Sequence, residues 1–408
     1  MPIKPSRPPR RRILLAALST AAALSQPAQA QTDDSAPFYV GASLGVSHVS
    51  NIYRLSDATN SDTVVSAGVL GGLDHRLGRQ HLKLDGSLQD NRYATNSGLN
   101  NHSYSVKAAL DWQTVGDLSG TLSAKSDRSL ADFNIGSGAK QISRKNTESN
   151  DEYRAIARLG VGTRYSLEAG WAYRRRNFSA QEYDIFVFRQ NTASLGLYAT
   201  PAGNVTLGLV GRHTRGQYPR YPVALGSLTF ILPNDFTRND LDFTTRWNTS
   251  GSSTLDTRIS RSRTSNSLDA LTNFGGTTGA IGWNWQATSK LQLGLQYSRD
   301  TGQESQVRAA DVNRLYTTWQ VNGSYALTGK LSLNASASAN RNHRSRDSGT
   351  SLFDAFENNR FYSVGLRWAY SRSFSLGCQY DHASRDSSVP QYVYSAGSYG
   401  CTGQAILY

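Results

Sequence analysis

Beyond residues 1–30, no stretch of this chain is apolar for long enough to cross a bilayer as a helix. What recurs is strict alternation of apolar and polar residues in segments of about ten. Tyr104, Val106, Ala108, Leu110 and Trp112 alternate with Ser103, Ser105, Lys107, Ala109, Asp111 and Gln113. Leu291, Leu293, Leu295 and Tyr297 alternate with Gln292, Gly294, Gln296 and Ser298. Leu331, Leu333, Ala335, Ala337 and Ala339 alternate with Ser332, Asn334, Ser336, Ser338 and Asn340. Successive side chains of a strand point to opposite faces, so each segment has one apolar and one polar face. A tilted strand of this length crosses a bilayer. The polar face is Ser, Thr, Asn, Gln and Arg in nearly every segment, which a sandwich packed on large side chains would not tolerate. Propeller repeats with a fixed signature are absent. The expected fold is therefore all-β: a transmembrane antiparallel barrel that leaves no open sheet edge in lipid.

About eighteen segments can be counted, starting near Phe38, Asp62, Gln80, His102, Asp117, Asn150, Tyr165, Asn191, Gly203, Arg238, Ser253, Thr277, Ser289, Asp311, Gly329, Asn359, Ser373 and Ala396. Short connections such as Gly116-Asp117 and Thr328-Gly329-Lys330 alternate with long ones, roughly 126–149, 174–190, 214–237, 341–358 and 382–395. Short periplasmic turns and long extracellular loops are how such barrels are built, and an even strand number places both termini in the periplasm. Aromatic residues near segment ends, among them Phe38, Tyr39, Tyr165, Trp171, Tyr173, Trp247, Trp283, Trp285, Trp319, Tyr325, Trp368 and Tyr370, are expected in two interfacial girdles.

The N-terminus supports this destination. Lys4, Arg7, Arg10, Arg11 and Arg12 precede an apolar run from Ile13 to Leu24, and Ala28-Gln29-Ala30 follows. That is the pattern of a cleaved secretory signal peptide over 1–30, with cleavage between Ala30 and Gln31. Residues 31–36 form a short periplasmic segment, and 37–408 the barrel. The formal net charge of +13 suits several kinds of anionic partner and alone decides nothing.

Residues with chemical capacity are few. The seven histidines are scattered without metal-ligand spacing, and neither a G-x-S-x-G elbow nor a phosphate loop occurs. No catalytic site, metal site or cofactor is expected. Cys378 and Cys401 lie on the last two segments, and an even pair matured in the periplasm reads as a disulfide, two free thiols being the alternative. Facing cysteines would set Leu376 against Gly403 and Phe374 against Ala405. Arg174, Arg212, Arg246 and Arg258 have the polar parity and are expected to line the lumen, where Arg favours anions. Arg261 and Arg263 run with Arg258 along the eleventh segment; for arginines of the loops, such as Arg341, Arg344 and Arg346, the alternative to an anion-favouring pore is that they bind lipopolysaccharide phosphate or are simply solvated. Gln217 to Asn234 holds two prolines and an apolar run. It either folds inward as a constriction or, as we prefer, extends two strands above the membrane. At the C-terminus, Tyr408 with Ile406 resembles the signal read by the barrel-assembly machinery.

Asn51-Ile52-Tyr53-Arg54-Leu55 with Ser61-Asp62-Thr63 comes first in a further series of motifs. Gly78-Arg79-Gln80, Leu88-Gln89-Asp90-Asn91-Arg92-Tyr93, Phe274-Gly275-Gly276-Thr277-Thr278-Gly279 and Trp283-Asn284-Trp285-Gln286-Ala287-Thr288-Ser289-Lys290-Leu291 follow in order. In these the chain resembles the EpsL family, outer-membrane proteins of exosortase-associated exopolysaccharide loci within the β-barrel porins. The resemblance implies a conduit for secreted polysaccharide, with the synthesis and export proteins of that polymer as partners. It supplies no catalytic residues. The alternatives are a general diffusion porin with anion preference and a structural scaffold with a closed lumen. Outer-membrane lipid, lipopolysaccharide and the assembly machinery are the other expected partners, and nucleic acid is not.

Overall fold

The computed structural model describes residues 37–408 apart from 58, 136–140, 161, 226–227, 269–272, 302–314 and 345–354. The expected leader, with Ala30 and Gln31, and the segment 31–36 lie outside the described residues. Strands follow one another as β1 (Phe38–Val49), β2 (Asp62–Leu77), β3 (Gln80–Tyr93), β4 (Asn101–Gln113), β5 (Leu118–Leu130), β6 (Thr147–Leu159), β7 (Tyr165–Phe178), β8 (Phe188–Ala202) and β9 (Val205–Leu225). The second half continues with β10 (Leu228–Ser250), β11 (Ser253–Asn266), β12 (Phe274–Gln286), β13 (Leu291–Thr301), β14 (Leu315–Ala326), β15 (Leu331–Arg344), β16 (Ala355–Ala369), β17 (Phe374–Ser387) and β18 (Tyr394–Leu407).

Each strand pairs with its sequence neighbours, and β1 pairs antiparallel with both β2 and β18, so the 18-stranded sheet is closed. Closure satisfies every strand edge within the sheet, the condition for crossing lipid with strands. Large apolar side chains lie exposed on the outer face, among them Leu44, Val69, Leu88, Leu122, Leu195, Leu209, Phe243, Ile259, Ile281, Val321 and Val364. In water such a band would be a severe liability; in a bilayer it is the solvated face. The chain is a closed β-barrel with the apolar outer face of a membrane-spanning one.

At one rim the connections are short. Leu77 pairs with Gln80, so Gly78 and Arg79 alone make that turn, and Gly78 takes φ +60°, which glycine adopts without strain. The start of β1 at Phe38 and the end of β18 at Leu407 sit at this same rim. Exposed Phe38, Tyr165, Trp247, Trp285, Tyr325, Trp368 and Tyr370 mark it on the outer face. Towards the other rim runs a second set, including the cross-strand pairs Tyr153–Tyr173 and Tyr297–Trp319, with ring centroids 6.0 and 4.5 Å apart. One assignment changes: Tyr39 faces inward and donates from its hydroxyl to Asp85 at 2.8 Å.

The strands also run further than polarity suggested at the long-loop rim. Arg174, Arg175 and Arg176 belong to β7, and β10 begins at Leu228, inside the expected loop 214–237. There β9 and β10 remain paired from Leu225–Leu228 downwards, with one irregularity near Leu232. The described residues of 217–234 form two paired, extended strands.

Candidate functional site

The barrel interior is the candidate site. Around β6–β11 its wall is ionic. Arg158 Nε lies 2.6 Å from Glu168, and Glu152 is 2.9 Å from Arg154 and 4.0 Å from Arg174. Arg176 is 3.4 Å from Glu148. Arg212 reaches Asp242 at 2.6 Å and Asp240 at 3.6 Å. Arg238, buried at 1 %, donates to both Asp240 oxygens at 2.9 Å, to Ser262 at 3.3 Å and to Thr301. Arg246 pairs with Asp256 at 2.6 Å, and Arg258 with Asp300 at 2.7 Å. The four expected lumen arginines thus all face inward, and each stands beside a carboxylate of the same parity. The interior is charge-balanced rather than positive. The acids escaped the sequence reading because Arg212–Asp242 or Arg258–Asp300 become neighbours only once strand register is known.

Further round the barrel, the described inward side chains of β14 and β15 carry no charge. Thr318, Gln320, Asn322 and Ser324 on β14, and Asn334, Ser336, Ser338 and Asn340 on β15, point inward opposite the outward Trp319, Val321, Leu333 and Ala337. Asn322 and Asn334 are exposed, as are the inward Asn284 and Gln292 on neighbouring strands. An inward side chain can be solvent-exposed only if space remains along the axis. Eighteen strands enclose enough width for an aqueous channel.

The long-loop rim is partly covered. Ile52, Leu99, Phe133, Ile142, Phe178, Tyr183 and Phe186 pack into one apolar cluster drawn from four successive connections. Polar contacts then carry the β5–β6 connection across to the last hairpin. Asn134 donates to Arg54 O at 2.9 Å and to Tyr392 O at 3.4 Å, and accepts from Arg385 at 2.7 Å. Arg54 pairs with Asp132 at 2.8 Å, and both Arg54 and Arg385 lie over the Tyr394 ring, 5.5 and 5.4 Å from its centroid. Arg54 adopts φ +52°, a left-handed backbone that a non-glycine residue holds only where its surroundings fix it. Burial and then the charge of Asp132 hold the Tyr183 phenol above its usual range, so it remains a donor to Asp132 O and Phe133 O, at 2.9 and 2.8 Å. Burial also raises Asp184, against the pull of Arg220 at 3.1 Å. None of this mouth was legible in sequence, because it depends on which loops meet.

Cys378 lies opposite Cys401 in the β17–β18 register, with Leu376 against Gly403 and Phe374 against Ala405, and the two sulfurs are bonded. Both cysteines are on the outer face. Ile406 points inward and is buried, Leu407 points out and is 69 % exposed, and Tyr408 follows the strand end. Among the described residues no group of three or more His, Cys, Asp or Glu could hold a metal ion.

No family model matches the sequence, and no curated protein does. Solved structures do. OpdK, an outer-membrane protein of Pseudomonas aeruginosa, is 12% identical over 91% of this chain and 99% of its own, with a TM-score of 0.47. OccK9 (OpdG) of the same organism is 11% identical over 91% and 97%, with a TM-score of 0.46. The FrpB iron transporter of Neisseria meningitidis is 11% identical over 85% of this chain and 62% of that one, with a TM-score of 0.43.

Proposed function

We propose that the barrel is a channel that lets hydrophilic solutes cross the outer membrane, with the short-turn rim and both termini in the periplasm. The observation that carries this reading is the exposure of inward-pointing side chains from the short-turn rim, at Asn284 and Gln292, through Asn322 and Asn334 to Lys107 at the middle of β4. Amides and hydroxyls exchange hydrogen bonds with passing water or solute at little net cost. Paired arginines add polarity without a large net field, so the channel discriminates weakly between small anions and cations. The test is uptake: proteoliposomes holding the purified protein should swell in small neutral sugars, and protein-free liposomes should not. No swelling would leave the closed scaffold.

A second reading, export of a polysaccharide, is supported by the neutral wall of β14 and β15 together with the sequence resemblance. Neutral amides and hydroxyls suit a chain of sugar hydroxyls because no single site holds it tightly. Deleting the gene should then remove surface polysaccharide while its inner-membrane synthesis proteins persist. Normal surface polysaccharide in the deletion strain would end this reading and leave the first intact.

A further inference from the structure

The inward arginines are neutralised by carboxylates, whereas a group on the outer face is not. Arg261 and Arg263 on β11 and Arg299 on β13 are exposed and have the same outward parity as Ile259 and Tyr297. They have no acidic partner among the described residues. The one carboxylate on the described outer face of β9–β13 is Asp235, which accepts from Gln217 at 2.7 Å. Between the arginines β12 presents Gly275, Thr277 and Gly279: Arg263 faces Gly275, Arg261 faces Thr277, and Arg299 faces Gly279. The missing side chains leave a hollow of about 550 Å³ lined by Asn239, Arg261, Arg263, Ser265, Asn273 and Gly275. A Cβ added at Gly275 would meet nothing within 4 Å. The same face also carries apolar side chains: Leu241 level with Arg261, Ile259 level with Arg299, and Ile281 one step further towards the membrane, exposed at 54, 59 and 49 %.

We propose that this face binds the phosphorylated, acylated glucosamine headgroup of lipid A in the outer leaflet. Like charges on one sheet face repel unless an anion lies among them. Guanidinium groups take phosphate oxygens through paired donors. Arg261 and Arg299 stand two strand spacings apart and two residues out of level, about 12 Å, so one broad headgroup seated in the hollow beside Arg261 can also reach Arg299 beyond its edge. Its acyl chains would run down over Leu241, Ile259 and Ile281. A ligand with phosphates alone would satisfy only the arginines of the face, and one with acyl chains alone only its apolar side chains. The inference rests on the orientation proposed above, which surface labelling of an added cysteine near Gly203 tests separately.

The experiment compares detergent-purified full-length protein with lipid A carrying both phosphates and with the same lipid after chemical removal of both, using native mass spectrometry. The phosphorylated form should bind at least about tenfold more tightly, the scale expected for a few charge-assisted hydrogen bonds. Replacing Arg261, Arg263 and Arg299 by Gln should remove that advantage. Gly275→Trp, which keeps every charge and fills the hollow, should lower binding of the phosphorylated form. Equal binding of the two lipids to the unmodified protein would overturn the proposal even if a variant failed to fold. So would unchanged binding by the folded triple variant.

Discussion

The two walls of the interior solve one problem in opposite ways. Both must be polar, because they face water inside a sheet whose other side faces lipid. The β6–β11 wall uses arginines and carboxylates matched across neighbouring strands, ending in Arg238 and Asp240, which are almost wholly removed from solvent. The β14–β15 wall uses Asn, Gln, Ser and Thr, several still exposed. Ion pairs lock side chains to one another, and losing one partner strands the other in a poor solvent. Neutral amides remain free to bind what passes. The first wall thus fixes the shape of the lumen, and the second offers the surface a solute meets. The flank beside the neutral wall has a covalent tie instead, Cys378–Cys401, on its lipid side.

The sharpest way to break this comparison is Asp240→Ala. It leaves Arg238 buried beside no carboxylate and should cost about 3–5 kcal/mol, whereas Asn340→Ala on the other wall should cost about 1 kcal/mol. Heat-induced loss of the folded form, followed by gel mobility, measures both; equal losses would erase the distinction. Next in size is the hairpin tie. Replacing both cysteines with Ser should destabilise the β17–β18 flank by about 3 kcal/mol in the chain-entropy model, for residues 23 apart. No change in the heat-induced transition would show that the tie contributes nothing in the assembled barrel.

Smaller effects concern selectivity. Replacing Asp242, Asp256 and Asp300 with Asn removes three lumen carboxylates beside Arg212, Arg246 and Arg258 and should make the channel clearly anion-selective. Asn322→Asp with Asn334→Asp should give a weaker cation preference, because exposed charges are screened more strongly. Reversal potentials in a salt gradient separate these outcomes. The smallest effect is at the mouth. The raised Asp184 sits beside Arg220 and Glu182 in the 179–187 connection. A carboxyl whose folded pKa lies above its unfolded value contributes stability below the ordinary carboxylate range. That contribution is lost as pH rises through the raised value. The 179–187 connection should therefore be held more firmly at acid pH, and Asp184→Asn should flatten that dependence in hydrogen exchange of this segment; an unchanged pH profile would remove Asp184 from its stability.

Strand positions were readable because lipid on one side and water on the other impose a period of two wherever the barrel is in the membrane. Where strands run beyond the alternating region the contrast disappears, so Arg174–Arg176 read as loop although the ladder continues, while the apolar run of 217–234 still points to two extended strands. The inward arginines were readable from parity. Their partners were not, since Arg258 meets Asp300 two strands away and Asp300 lies at the very end of β13. The clasp of Arg54, Asp132, Asn134 and Arg385 joins connections that share no local pattern. Its one local sign is the left-handed backbone at Arg54, which only coordinates reveal.

An open interior whose charges cancel is tested most directly by single-channel recording of the unmodified protein in a planar bilayer under a potassium chloride gradient. Stable conductance with a reversal potential close to zero is expected. A potential near the limit for either ion, or a membrane that never conducts, would contradict it.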